Sequence, residues 1–236
     1  MSQKLGRPAD PHAKVDLLRA AESVFVEIGL DAAKVEDIAA RAGKSKGAFY
    51  LHFAHKEEAF KQIVEGLLAR LAACIDDGRT IMAQSCGAAG GPALMEYWLG
   101  KDVEVFEFIW QNRRVMRLLL EGGKSAAFAY LMDEFAERCR VHMVSFFEWG
   151  RRQGIYRDDL DVELTSLLVA GAYDRVARQL VRSDEKPDLQ RVCASIQRTL
   201  GRGIVSDTVH ELIDAQVRKA GGSHARRGAR AERSAR

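Results

Sequence analysis

Residues 34–60, KVEDIAARAGKSKGAFYLHFAHKEEAF, decide how the N-terminal part of the chain folds. The spacing predicts two short helices, and Gly43 lies between them, where the chain must turn in a conformation that glycine adopts without strain. Ser45 is placed to cap the second helix. The apolar residues expected to join the two helices are Ile38, Ala42, Phe49 and Phe53. A helix pair with such a turn forms a helix-turn-helix, whose second helix can enter the major groove of DNA.

The exposed face of the second helix carries donors that suit phosphate oxygens. These predicted contacts are Lys44, Ser45, Lys46, Tyr50, His52 and Lys56. Gly47 and Ala48 are too small to hold the helix away from the floor of the groove, and Ala48 can also contact a thymine methyl group. The competing interpretation is a helical hairpin with a solvated basic face.

The same stretch resembles the N-terminal DNA-binding domain of the TetR/AcrR family of bacterial transcriptional regulators. The shared runs are Ile38-Ala39-Ala40-Arg41-Ala42-Gly43, Ser45-Lys46-Gly47, Tyr50-Leu51-His52-Phe53 and Lys56-Glu57-Glu58. The apolar helix expected at 12–28, followed by Gly29, matches the first helix of the family. The rest of the chain resembles the family only in being helical and of suitable length.

This resemblance implies a homodimer that binds a palindromic operator in double-stranded DNA, usually as a repressor. It also implies release by a small molecule bound in the C-terminal domain. By position, Ser45, Lys46, Gly47 and Ala48 fall at the start of the recognition helix. Tyr50 and His52 match the phosphate-facing pair of the family, and Lys56 matches its phosphate contact at the fourth helix.

Two residues depart from the family pattern. Lys34 stands where the family usually has Thr, which removes the expected cap of the second helix, and Lys44 replaces an apolar residue of the turn. Both add positive charge beside the DNA. We interpret them as further phosphate contacts, with neutral drift as the alternative.

Composition and hydrophobic spacing predict an all-α protein. The chain has 236 residues, 47% of them hydrophobic and 29% charged, and apolar residues recur at helical intervals nearly throughout. Along the first helix the apolar stripe is Val15, Leu18, Ala21, Val24, Phe25 and Ile28. We expect helices at about 12–28, 35–42, 46–52, 56–75, 92–112, 113–121, 126–151, 161–182 and 188–218.

These helices suggest two functional domains. We expect a flexible arm at 1–11, a three-helix DNA-binding domain at 12–55, a helical ligand-binding and dimerisation domain at 56–220, and a disordered basic tail at 221–236. Residues 216–236 hold seven basic side chains and one acidic one, whereas the whole chain has a net charge of +3. This tail is either a solvated segment or a weak phosphate contact.

The C-terminal domain offers candidates for an effector site in the aromatic-rich helix near 92–112 and in the helix near 126–151. The predicted ligand-binding residues are Trp98, Asp102, Phe106, Trp110, His142 and Phe146. Asp102 has two interpretations: Gly100 breaks the helix and Asp102 caps the next one, which we favour, or the carboxylate faces a cationic or donor-bearing ligand. His142 is a core histidine, a polar group of the pocket or, least expected, a metal ligand.

The helix at 161–182 is apolar on two faces. Leu164, Leu167, Leu168 and Gly171 form one face, and Val169, Tyr173, Val176 and Leu180 form the other. With the apolar stripe of the last helix (Leu189, Val192, Cys193, Ile196 and Leu200), it is expected to supply half of a four-helix dimer interface. The alternative is a helix wholly inside a monomer.

Several classes of protein are disfavoured by the sequence. An apolar run long enough for a membrane span and a secretory signal are both missing, and the four cysteines form no C-x-x-C pair, so we expect reduced thiols and a cytoplasmic protein. No catalytic motif is present, so we expect no enzyme activity, no cofactor and no metal. A helical metal- or cofactor-dependent enzyme and a non-specific architectural DNA binder remain the alternatives.

Overall fold

Helices form the regular structure of the described residues, which in this computed structural model are 12–76, 91–120, 123–215 and 218. The helices are α1 (Ala13–Ala32), α2 (Val35–Arg41), α3 (Lys46–Tyr50), α4 (Lys56–Asp76), α5 (Gly91–Gln111), α6 (Arg113–Leu120), α7 (Ala129–Arg152), α8 (Val162–Arg182) and α9 (Leu189–Ile204). A 3₁₀ turn occupies Gly123–Phe128, and residues 207–215 are helical. The all-α prediction is confirmed. The predicted arm at 1–11 and the predicted tail at 221–236 lie outside the described residues.

The helices divide between two compact units. The first contains the described residues of Met1–Ala72, Phe108–Ala136 and Arg178–Asp184. The second contains those of Ala73–Glu107, Glu137–Ala177 and Glu185–Arg236. None of the described helices combines the length and the apolar composition that a membrane crossing requires.

The first unit has one apolar core, which the N-terminal helices share with α6 and the start of α7. Buried side chains of this core are Leu17, Val24, Phe25, Ile38, Phe49, Phe53, Phe60, Val64, Leu68, Leu119 and Leu131. Phe25 and Phe60 meet edge to face with ring centroids 5.7 Å apart, which ties α1 to α4. The predicted contacts of Ile38, Phe49 and Phe53 are confirmed, because all three side chains are buried.

The predicted stripe of α1 is wrong at both ends. Val15 and Ile28 are exposed, whereas Leu17 and Ala20 are buried. The buried face therefore runs along Leu17, Ala20, Ala21, Val24 and Phe25. Gly29 has φ +81°, and it kinks α1 instead of ending it, since helical residues continue to Ala32.

The second unit overturns the favoured interpretation of Asp102 as a helix cap. α5 runs through Gly100 without a break. Asp102 lies inside this helix, and its Oδ2 accepts hydrogen bonds from the Tyr173 hydroxyl at 2.5 Å and from the Gln197 amide at 3.2 Å. The Asp102 carboxylate therefore binds residues of α8 and α9 instead of capping a helix.

The single long helix expected at 188–218 is also wrong. α9 ends at Ile204, and Val205 forms an isolated antiparallel bridge with Tyr156. Ser206 donates from its amide to the Ile155 carbonyl at 3.0 Å and from its hydroxyl to the Gly154 carbonyl at 2.9 Å. Pairing with residues 154–156 therefore interrupts the helix, and helical structure resumes at 207.

We predict that Asp102→Asn stabilises the protein at neutral pH. Burial raises the pKa of Asp102 from its ordinary value of 3.8 to about 6. Because the folded-state pKa is the higher one, the stability contributed by protonated Asp102 is full below pH 3.8 and is lost as the pH rises through 6. The difference between the folded-state pKa and the ordinary pKa of Asp102 corresponds to at most about 3 kcal/mol in the free energy of unfolding.

Urea unfolding at pH 7.5 and at pH 4 measures this effect. The Asn variant should be more stable than the wild type at pH 7.5 and lose that advantage at pH 4. Glu104→Gln, which neutralises an exposed carboxylate on the same helix, is the control and should show no such pH-dependent gain. An Asn variant that is less stable at both pH values would contradict the prediction.

Candidate nucleic-acid interface

The turn between α2 and α3 is closed by the backbone. The amide of Gly43 donates to the Ala40 carbonyl at 3.0 Å, and the amide of Lys44 donates to the Ala39 carbonyl at 2.9 Å. Gly43 has φ +64°, the left-handed conformation that was expected there. The two helices are thus held in a fixed crossing by backbone hydrogen bonds and by the buried side chains of Ile38 and Phe49.

The first turn of α3 is capped as the sequence predicts. The Ser45 Oγ accepts a hydrogen bond from the Ala48 amide at 3.1 Å. Gly47 is exposed, and a Cβ added there would meet nothing closer than the Ser45 Oγ at 3.7 Å. Small residues at the start of an exposed helix leave its backbone open to close approach by a partner.

Tyr50 and Leu51 are exposed at the end of α3, and His52 beside them is half-buried. The Tyr50 ring packs edge to face on the buried Phe49 ring, with centroids 5.7 Å apart. Leu51 is 82% exposed, and it was not among the predicted site residues. The signal that could have found it is spacing, since Leu51 falls between the core positions Phe49 and Phe53.

The lysines of this surface differ in how far they are engaged within the protein. The Lys46 ammonium binds the Glu36 carboxylate at 2.5 Å, and this contact raises the pKa of Lys46. Lys44 lies 3.4 Å from the Asp16 carboxylate. Lys34 is exposed at the N-cap of α2 and makes no side-chain capping bond, as its departure from the family pattern implies.

Lys56 is the most constrained of the predicted contacts. Its Nζ donates to the carbonyls of Asp31 at 2.9 Å and Ala33 at 2.7 Å. These carbonyls end α1 and begin the connection to α2, so the ammonium stabilises the C-terminus of α1. The structure therefore gives Lys56 an internal role that the sequence did not predict. The predicted DNA-contacting residues all lie between the start of α2 and the start of α4.

The predicted effector residues do not form one set. Trp98, Asp102, Phe106, His142 and Phe146 belong to the second unit, but Trp110 belongs to the first. The Trp110 ring is covered by the Arg113 guanidinium, 4.0 Å from its centroid. Trp98 and Phe146 are in contact, with ring centroids 4.9 Å apart. Phe106 stacks on Tyr173 beside Asp102, whereas His142 is half-buried on α7.

One face of α8 is apolar and exposed. Leu164, Leu167 and Leu168 are 52%, 58% and 62% exposed, while Val169 and Leu180 on the other face are buried. The interpretation of this helix as wholly internal is therefore wrong. α7 adjoins this face, because the Arg140 guanidinium binds the Glu163 carboxylate at 2.7 Å.

The apolar stripe of the last helix is less exposed than that face of α8. On α9, Leu189 and Cys193 are buried and Val192, Ile196 and Leu200 are half-buried. Its exposed positions are polar or glycine: Gln190, Arg191, Arg198, Thr199, Arg202 and Gly203. The apolar stripe of α9 is therefore buried at Leu189 and Cys193 and stays partly exposed at Val192, Ile196 and Leu200.

Comparison with known proteins agrees with this geometry. Residues 17–63 match the family described as bacterial regulatory proteins, tetR family. The HTH-type transcriptional repressor KstR2 of Mycobacterium tuberculosis is 31% identical over 153 residues, which cover 63% of this chain and 72% of that protein. The HTH-type transcriptional regulator YvdT of Bacillus subtilis is 44% identical over 52 residues, covering 22% and 27%.

Solved structures extend the likeness beyond the N-terminal helices. The structure of KstR2 of Mycobacterium tuberculosis, a ketosteroid transcriptional regulator, has a TM-score of 0.57 at 26% identity, covering 84% of this chain and 97% of that one. SmeT of Stenotrophomonas maltophilia, the repressor of a multidrug efflux pump, shares the fold with a TM-score of 0.61 at 21% identity, covering 83% and 92%. The chain belongs to the TetR family of bacterial transcriptional regulators.

Proposed function

We propose that this regulator is a repressor that binds a palindromic operator as a homodimer and is released by a small-molecule effector. The observation that carries the DNA-binding part is the exposed, Ser45-capped first turn of α3, with Gly47 and Ala48 presented beside Lys46. The name of the similar KstR2 protein, a transcriptional repressor, supports repression. We place this activity in the cytoplasm, where an operator is accessible.

The proposed DNA contacts fall into two groups. Gly47 and Ala48 face the base edges, whereas Lys34, Lys44, Ser45, Lys46, Tyr50, His52 and Lys56 contact the phosphates. The exposed Lys46–Glu36 ion pair contributes little stability, so Lys46 can exchange Glu36 for DNA at small cost. Lys56 has two of its three donors on protein carbonyls, which leaves one for a phosphate oxygen.

We propose that the exposed face of α8, together with the adjoining part of α7 and the partly exposed apolar stripe of α9, forms the dimer interface. Exposed leucines on one helix face are costly in water and stabilise a subunit contact when buried. In a two-fold dimer the same face pairs with its own copy, and the two recognition helices would lie roughly 34–36 Å apart to enter successive major grooves.

The functional division of the chain follows from these assignments. We assign DNA binding to 12–55, and effector binding and dimerisation to 56–220, with Trp98, Asp102, Phe106, His142 and Phe146 of the second unit as candidate effector contacts. We expect the effector to bind more tightly to a conformation in which the recognition helices have a different spacing. The affinity for the operator then falls by at most the factor by which the effector prefers that conformation.

Selection from a random duplex library tests the proposal as a whole. The purified full-length protein should enrich a two-fold symmetric sequence whose half-sites lie about one helical turn apart. A control selection with α3 altered by Gly47→Glu should enrich nothing, because a longer side chain with a negative charge would then stand between α3 and the groove of the DNA. Binding that depends steeply on salt but enriches no sequence would instead identify a non-specific DNA binder.

We predict that Lys34→Ser increases stability but weakens DNA binding. Serine at this N-cap can accept the hydrogen bond that Lys34 does not provide, which should add about 0.5–1 kcal/mol to the free energy of unfolding. Loss of one phosphate contact should weaken binding to all duplexes alike and reduce the slope of log K against log salt by about 1. Thermal unfolding and a salt titration of DNA binding measure the two effects. Unchanged binding would remove Lys34 from the proposed contacts.

We predict that Leu168→Glu converts the dimer to the 26.2 kDa monomer. A carboxylate placed in a two-fold apolar interface meets its own copy, so both desolvation and repulsion oppose association. Light scattering after size-exclusion chromatography measures the mass. Thr199→Glu adds the same charge on the polar face of α9 and should leave the dimer intact. A Leu168→Glu protein that stays dimeric would place the interface elsewhere.

A further inference from the structure

Asp102 is a largely buried carboxylate without a counter-charge. In the described part of the chain, no lysine, arginine or histidine lies within ion-pair distance of it. Its hydrogen-bond donors, the Tyr173 hydroxyl and the Gln197 amide, are both neutral and both reach Oδ2. Removing a carboxylate from water without a cation is costly, so a structural role alone does not account for this residue.

The two donors leave the other carboxylate oxygen unused. Oδ1 accepts no hydrogen bond from the described residues, although a carboxylate has acceptor sites on both oxygens. Tyr173 and Gln197 hold the Asp102 side chain in one orientation and leave its Oδ1 without a donor from the described residues. This is the arrangement of a fixed acceptor with one oxygen available to a donor from outside the protein.

Aromatic residues neighbour Asp102 along α5 and on α8. Phe106 is buried, and its ring stacks on that of Tyr173 with centroids 5.9 Å apart and an interplanar angle of 15°. Trp98 and Phe106 lie one turn before and one turn after Asp102 on the same face of α5. Aromatic rings next to a carboxylate form an environment that favours an organic cation over an anion.

Three further buried polar atoms in the same unit, among them the Nε2 of His210, lack a hydrogen-bond partner among the described residues. The indole Nε1 of Trp98 and the hydroxyl of Ser166 are buried and make no hydrogen bond to the described residues. Ser166 precedes Tyr173 by two turns of α8, so both share the inward face of that helix. Buried polar groups are normally satisfied, and a bound molecule with hydrogen-bonding atoms would satisfy these.

We propose that the effector is an apolar molecule that carries a basic amine, and that its ammonium group binds the Asp102 carboxylate. The inference rests on the proposed function, in which a small molecule releases the repressor. The ammonium donates to Oδ1, while the apolar body packs against Phe106 and Trp98. A neutral alcohol would supply a hydrogen bond but no charge, and a carboxylate would be repelled.

The ionisation of Asp102 agrees with this assignment. Burial raises its pKa to about 6, so the carboxyl is mainly ionised at pH 7.5, and an incoming cation would find a charge already present. Burial also raises the pKa of Cys193 to about 12, so this nearby thiol is neutral and does not compete for the cation. Tyr173 is likewise neutral, because burial and the Asp102 charge raise its pKa.

Three matched pairs of probes test the inference by calorimetry at pH 7.5 on the full-length protein without DNA. The pairs are 4-phenylbutylamine and 4-phenylbutan-1-ol, tryptamine and tryptophol, and 1-adamantanamine and 1-adamantanol. In at least one pair the amine should bind at least tenfold more tightly than the alcohol. Asp102→Asn should abolish this preference, and Glu104→Gln, which neutralises an exposed carboxylate on the same helix, should retain it.

The inference is wrong if no amine binds the wild type, if amines and alcohols bind alike, or if Asp102→Asn keeps the preference. Asp102→Ser serves as a second neutral variant should the Asn protein fail to fold. Selection of a DNA sequence by the unliganded protein gives a separate readout. Selected DNA without amine preference would overturn only the effector class, whereas amine binding through Asp102 without selected DNA would overturn only the repressor proposal.

Discussion

The recognition surface depends on the burial of two phenylalanines. α3 has only five residues, far fewer than a helix needs to be stable alone in water. Phe49 and Phe53 are buried against the core that also contains Phe25 and Ile38. Their packing fixes the direction of α3, and Ser45 completes its first turn. The burial of Phe49 and Phe53 therefore positions every outward-facing residue of α3. A substitution that disrupts this core packing would abolish DNA binding even if no DNA-contacting residue were changed.

The architecture of this surface was predictable because it follows from short-range rules. Gly43 in the turn and Ser45 at the cap act on their immediate neighbours, and the structure confirms both. The partners of the lysines were not predictable. A lysine ammonium lies at the end of a long flexible stem, and the carbonyls that Lys56 reaches are 23 and 25 residues away in the sequence. Only the packing of α4 on α1 brings them together.

The C-terminal predictions were weaker for the same physical reason. Local sequence favoured a cap at Asp102, since a glycine precedes it, but the outcome was decided by Tyr173 and Gln197, which are 71 and 95 residues away. The two apolar faces of α8 were visible in the spacing, but only the structure shows which face is exposed. The break at Val205 depends on its bridge to Tyr156, and no local signal indicates a partner 49 positions earlier.

The ammonium of Lys56 has a mechanical consequence. It belongs to the first residue of α4, and it is fastened to the carbonyls at the end of α1. Any tilt of α4 that leaves α1 behind must break two charge-assisted hydrogen bonds as well as the contact between Phe25 and Phe60. The movement that costs least free energy is therefore one in which α1 moves together with α4. The helices of the DNA-binding domain then move as one rigid body, and their positions relative to one another do not change.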